Sequence, residues 1–107
     1  MMPRHIVKLE RNGETRYMEW STVVDAPVSD LMDLEAFRKH YRYYYGDHGM
    51  SELPERMARV DKFGTSAMNP PESAEALIAF NRAGPGESCL TVEELWNKYT
   101  YMEASDD

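Results

Sequence analysis

The sequence predicts an α+β domain: an N-terminal antiparallel β-hairpin followed by three to four short α-helices packed on it. Three observations lead there. Residues 5–11 and 14–24 alternate in the period-two manner of strands and meet at Asn12-Gly13. From residue 33 onward the apolar residues recur at steps of three and four, the spacing of helices. Glycines at 46, 64, 84 and 86 punctuate that helical part. A chain of 107 residues is one domain's worth, and 42% hydrophobic with 29% charged residues is a globular composition rather than a disordered one.

Asn-Gly suits a two-residue type I′ turn because both central positions need φ > 0. That turn pairs Arg11 with Glu14, Leu9 with Arg16, Val7 with Met18 and His5 with Trp20. One face then carries His5, Val7, Leu9, Met18, Trp20 and Val24. The other carries Ile6, Lys8, Glu10, Thr15, Tyr17, Glu19, Ser21 and Val23. The first is the more apolar and is expected to face the core. Two strands alone are marginal in water. Helices must cover the apolar face, or a further strand must join an edge, which a second copy of the chain could supply as a homodimer.

Ala26-Pro27 is expected to end the second strand. Asp33 is placed as a helix N-cap, with Met32 and Phe37 as a hydrophobic staple. Leu34, Phe37, Tyr41 and Tyr44 form a core-facing stripe, and Gly46 is expected to stop the helix as its C′ residue. A second helix is expected from Ser51 or Leu53 to Phe63, with Leu53, Met57 and Val60 inward and Gly64 after it; Pro54 fits its first turn. Residues 64–71 read as a loop. A third helix spans about Ser73 to Ala83, with Ala76, Leu77, Phe80 and Ala83 inward. The last begins at Thr91, with Glu94 completing a capping box and Leu90 and Leu95 a staple. It directs Val92, Leu95, Trp96, Tyr99 and Met102 one way, and residues 103–107 are expected to fray as an acidic tail.

Composition narrows the function. Net charge is −7, and residues 65–107 carry two basic against eight acidic side chains. That disfavours nonspecific nucleic-acid binding, which rests on phosphate neutralisation. No apolar run approaches a membrane span, the N-terminus lacks the apolar core of a signal peptide, and one cysteine makes no internal disulfide, so the expected setting is cytoplasmic.

Signals for chemistry are weak. His5, His40, His48 and Cys89 show no HxxxH or CxxC spacing, so no metal or cofactor is implied. Cys89 lies two residues before a helix start, which favours a thiolate, but as a small semi-buried residue beside Leu90 it needs no such role. His5 opposite Trp20 is more simply a packing residue than a general base. Residues 84–88 lack the Lys-Ser/Thr of a phosphate loop. No residue is therefore assigned a catalytic role.

The stretch from Leu34 to Gly46 holds a different signal. Arg38, Arg42 and Tyr45 share one helix stripe, flanked by Lys39 and Tyr43. Interleaved cations and rings suit single-stranded nucleic acid. They suit a protein partner as well, because exposed tyrosine and arginine dominate interface hot spots. The cations can also pair internally with the acidic C-terminal helices.

Several stretches carry a family likeness: EWSTVVDAP (19–27), YRYYYG (41–46), LPERMARVD (53–61), GTSA (64–67), NRAGP (81–85) and LTVEEL (90–95). Across about residues 5–100 the chain resembles small uncharacterised accessory proteins of tailed phages. The resemblance implies a viral protein acting in the host cytoplasm, and it brings no catalytic residues with it. Size and acidity are similar to those of phage inhibitors of host machinery. The reading is thus a non-enzymatic accessory protein that binds a protein partner through Arg38, Lys39, Arg42, Tyr43 and Tyr45. A nucleic-acid binder using the same face, a small enzyme and a virion component are the alternatives.

Overall fold

The structure is a computed structural model and describes residues 4–68 and 70–100. Strand β1 (Arg4–Arg11) and β2 (Glu14–Ser21) form the hairpin in the register the Asn-Gly turn dictates, from Arg11 opposite Glu14 to His5 opposite Trp20. Asn12 and Gly13 both have positive φ. β2 stops at Ser21, three residues short of the expected end. A turn with Asp25 at φ 55° then brings Ala26–Pro27 back as a short β3, paired with Trp20 and Ser21. Pro27 therefore does not simply end a strand. It sits in an edge strand, where a missing N–H is tolerated.

Both faces of this sheet are covered, whereas the residue pattern suggested one. Val7, Leu9, Met18 and Trp20 pack with Leu31, Ile78, Leu95 and Trp96. Ile6 and Tyr17 pack on the opposite side with Met32, Phe37, Tyr41, Leu53 and Val60. Lys8, Glu10 and Glu19 on the second face masked Ile6 and Tyr17. The helices of the first side are α2 (Ala74–Ile78) and α3 (Val92–Tyr99); the second side belongs to α1 (Leu34–Phe63).

Helix α1 begins where expected: the Asp33 carboxylate accepts the Ala36 N–H at 2.8 Å. Gly46 interrupts it at φ 65°, ψ −158°, a region essentially closed to residues with a Cβ. The break is real, but helix resumes at once rather than at Ser51 or Leu53, so Pro54 lies inside a helix and leaves the Met50 carbonyl without its usual donor. Gly49 allows the quick return. A Cβ there would collide with the Cβ of Tyr45. Gly64, at φ 101°, ends the helix with its N–H on Val60 O.

The stripe facing the sheet is Phe37–Tyr41–Tyr45, not Leu34–Phe37–Tyr41–Tyr44. Leu34 and Tyr44 are exposed, and Tyr45 is half-buried. Two adjacent tyrosines look alike to a hydrophobic count, and a polar partner on β2 decides between them.

The third helix is shorter than expected. It ends at Ile78, the residue it buries; Phe80, expected inward, is 86% exposed. Asn81 replaces the missing turns. Its buried side chain donates to Ile78 O and Leu90 O and accepts from Ala83 N and Leu90 N. Helix α3 has its capping box, with Thr91 Oγ1 accepting from Glu94 N and Glu94 Oε1 from Thr91 N. Arg11 and Arg16 lie over the Trp96 ring, and Arg11 donates to Glu93 at 2.7 Å, fastening α3 to the hairpin. Met102 and residues 103–107 lie outside the described residues.

The edges of the hairpin are occupied by the chain itself. Gly64–Ser66 runs along β1, with Lys8 N donating to Gly64 O and Ser66 N to Ile6 O. On β2, Tyr17 exchanges bonds with Met32, and Glu19 O accepts from Val28 N. The middle of each edge is thus unavailable for strand addition, and the homodimer through a hairpin edge loses its geometric basis.

Candidate functional site

Alternation along β2 turns Trp20 into the apolar core and Glu19 toward α1. Glu19 is 4% exposed. A carboxylate at that depth needs donors, because burial without them costs several kcal/mol. Helix α1 supplies two. His40 Nε2 lies 3.0 Å from Glu19 Oε1, and the Tyr45 hydroxyl donates to Oε2 at 2.6 Å. Residues 40 and 45 are five apart, on adjoining helix rows that both face the strand. Arg4 from β1 approaches the Tyr45 oxygen at 3.4 Å. The Glu19 backbone is held too, its N–H donating to Ser29 Oγ at 2.8 Å.

Burial is the largest influence on the Glu19 carboxyl and pushes its pKa up. The hydrogen bonds from His40 and Tyr45, with the His40 and Arg4 charges, outweigh it and hold the group below the usual carboxylate value. Tyr45 moves up, from burial first and then from its bond to Glu19, so it remains a phenol that donates. Rings extend the network along the helix. His40 contacts Phe37 at 5.8 Å and Tyr44 at 4.8 Å, and Tyr45 contacts Tyr41 at 4.6 Å.

This network separates two open clefts. One, of about 830 Å3, has Glu19 and His40 in its wall with Pro27, Val28, Tyr44 and Tyr99 around them. The other, of about 820 Å3, lies between β1, the second half of α1 and the segment after Thr65. It is lined by Arg4, His5, Tyr45, Arg56 and Arg59, with Glu52 and Glu72. Burial lowers the pKa of His5, and Arg56 and Arg59 add to the effect against Glu72.

The structure divides the five residues of the expected partner face. Arg38, Lys39, Arg42 and Tyr43 are exposed on the outer side of α1. Tyr45 is not, because Glu19 draws it inward; Tyr44, expected in the core, takes its place outside. Tyr43 is 81% and Tyr44 65% exposed, and their rings meet edge to face at 4.9 Å and 84°. The cations pair within α1 rather than with the C-terminal helices: Lys39 with Glu35 at 3.9 Å and Arg42 with Asp47 at 3.8 Å. Exposed pairs this long contribute little.

The residues weighed for chemistry are scattered. His48 is exposed beside Glu52 at 3.4 Å. Cys89 is exposed rather than semi-buried, with its thiol toward Ala79 O. Among the described residues no three of His, Cys, Asp or Glu converge as metal ligands, and no helix is long and apolar enough to cross a membrane. Sequence reasoning did not single out Glu19. The available signal was a glutamate between Tyr17 and Trp20 in a strand otherwise rich in large residues. No family model, curated protein or solved structure matches this chain.

Proposed function

We propose that the chain is a non-enzymatic accessory protein that binds a protein partner through the outer face of α1, in the tailed-phage setting its sequence resembles. The observation that carries the reading is the Tyr43–Tyr44 pair. Two large rings are held outside the core on a folded helix, against each other, with Arg38, Lys39 and Arg42 beside them. Tyrosine and arginine gain most when a partner desolvates them, and rings already packed together lose little freedom on binding. The cleft behind Tyr44 gives the face relief, so a partner side chain has somewhere to insert. Inhibition of that partner is the mode of action that small size and acidity suggest by analogy.

The test is affinity capture from cell lysate with the parent chain and with Tyr43→Ala/Tyr44→Ala, at low and high salt and after nuclease treatment. A protein retained by the parent through nuclease and salt, and lost with the double variant, supports the reading. Equal retention by both proteins would refute it. The interleaved rings and cations favour single-stranded nucleic acid as the second reading. It requires binding that nuclease abolishes and that falls steeply with salt.

A further inference from the structure

We propose that the second cleft is a binding site for the phosphate group of a small phosphorylated molecule. The proposal is independent of the partner face, because it uses the other side of the Glu19 network. Arg56 and Arg59 are three apart on α1 and so share one helix face, and both point into the cleft, where Arg4 joins them from β1.

Their hydrogen-bonding capacity is mostly unused. The Arg56 side chain is only 19% exposed, yet its one ion pair among the described residues is Glu52 at 3.9 Å, too long for a good hydrogen bond. Among the described residues Arg59 uses Nε alone, donating to Ser66 O at 3.0 Å, which fixes the guanidinium at the cleft wall and leaves its two amino groups. Among the described residues Arg4 donates only to the Tyr45 oxygen, at 3.4 Å. Folding normally places a part-buried guanidinium against a carboxylate or carbonyl. Here the part-buried Arg56 and Arg59 keep most of their donors free among the described residues, and the exposed Arg4 lines the same cleft.

The geometry selects the ligand chemistry. A carboxylate has two oxygens and satisfies one fork. A phosphate monoester offers three oxygens and close to two negative charges, and so can engage several forks at once. The cleft's own carboxylates set the limit on charge. Glu52 is shared between Arg56 and His48, and Glu72 stands near His5, so three guanidiniums face two carboxylates. The His5 imidazole, neutral and part-buried, adds a polar group without a charge. At about 820 Å3 the cleft exceeds a phosphate ion severalfold, and the rings of Tyr41 and Tyr45 line it. The rest of the ligand is therefore a flat apolar or aromatic group lying against the half-buried Tyr45 ring.

Calorimetric titration near neutral pH with inorganic phosphate, phenyl phosphate and benzoate, at matched ionic strength, tests the proposal. Phenyl phosphate should bind saturably, more tightly than either inorganic phosphate or benzoate. Arg56→Gln should weaken it roughly tenfold or more, the loss of a charge-assisted hydrogen bond. Glu52→Gln should tighten it, since it removes a like charge and releases Arg56. Arg56→Lys, which keeps the charge but not the fork, should fall between parent and Arg56→Gln, and it decides the matter if Arg56→Gln fails to fold. No saturable binding of phenyl phosphate at millimolar concentration would overturn the proposal. So would benzoate binding as tightly, or indifference to both Arg56 substitutions.

Discussion

On the α3 side of the sheet, Met18, Trp20, Leu95 and Trp96 are almost entirely withdrawn from water and pack in one apolar cluster, with Arg11 and Arg16 over the Trp96 ring. On the α1 side, Phe37, Tyr41 and Leu53 are withdrawn as completely, but Glu19, His40 and Tyr45 form a polar seam beside them, with a cleft at each flank. The two sides are also satisfied differently. Every buried polar atom of the seam has a partner, whereas Trp20 Nε1, in the dry cluster, is the one buried side-chain polar atom among the described residues without one. One side therefore holds the sheet mainly by area, the other also by a seam of matched donors and acceptors on β2 and α1. The second side also sets exposed rings beside cations on the outer face of α1 and gathers guanidiniums in the arginine cleft.

Substitutions can break that contrast, and the largest effect belongs to the dry side. Trp96→Ala removes the ring that α3 buries and that Arg11 and Arg16 cover, and should cost about 4 kcal/mol in denaturant unfolding. On the polar side, Glu19→Ala strands the His40 and Tyr45 donors and should cost about 3 kcal/mol; Glu19→Gln keeps the shape and part of the bonding and should cost about half as much. Gly46→Ala forces a Cβ into a conformation reserved for glycine, for about 2 kcal/mol, and should disturb the Tyr45–Glu19 contact by moving the helix break.

Acid should weaken the polar side in two stages. Burial holds the His5 pKa below the usual imidazole value. The unfolded chain thus takes up a proton first, and the His5 contribution, full above about pH 6.5, is lost as pH falls below that. Glu19 is also depressed, so its contribution is complete above about pH 4.3 and disappears as pH drops through the folded value. Unfolding free energies measured across this range should show both declines. His5→Gln should remove the first stage and Glu19→Gln the second.

Much of the scaffold was legible in the sequence because it is locally encoded. Asn12-Gly13 set the register, Asp33 and Thr91 set helix starts, and Gly46 and Gly64 set breaks, each through its own backbone chemistry. What was not legible depends on partners far along the chain. Tyr45 rather than Tyr44 turns inward because Glu19, 26 residues earlier, needs its hydroxyl. The second buried face escaped notice because only Ile6 and Tyr17 announce it amid charged neighbours. The third helix was read as too long because Asn81 can close the segment through Leu90, nine residues on, without further helical turns. Of the five residues expected on the partner face, four are exposed on the outer side of α1 and Tyr45 belongs to the seam.

The smallest expected stability effect belongs to the proposed binding surface. Tyr43→Ala/Tyr44→Ala removes rings that bury little, and should cost no more than about 0.5 kcal/mol. Measuring the melting temperature and partner capture of this double variant, side by side with Glu19→Ala, bears most directly on the division between scaffold and binding face. The expected result is capture lost at a nearly unchanged melting temperature for the tyrosine pair, with a clear drop in melting temperature for Glu19→Ala. Capture retained without the two rings, or a melting temperature that falls as far as that of Glu19→Ala, would contradict it.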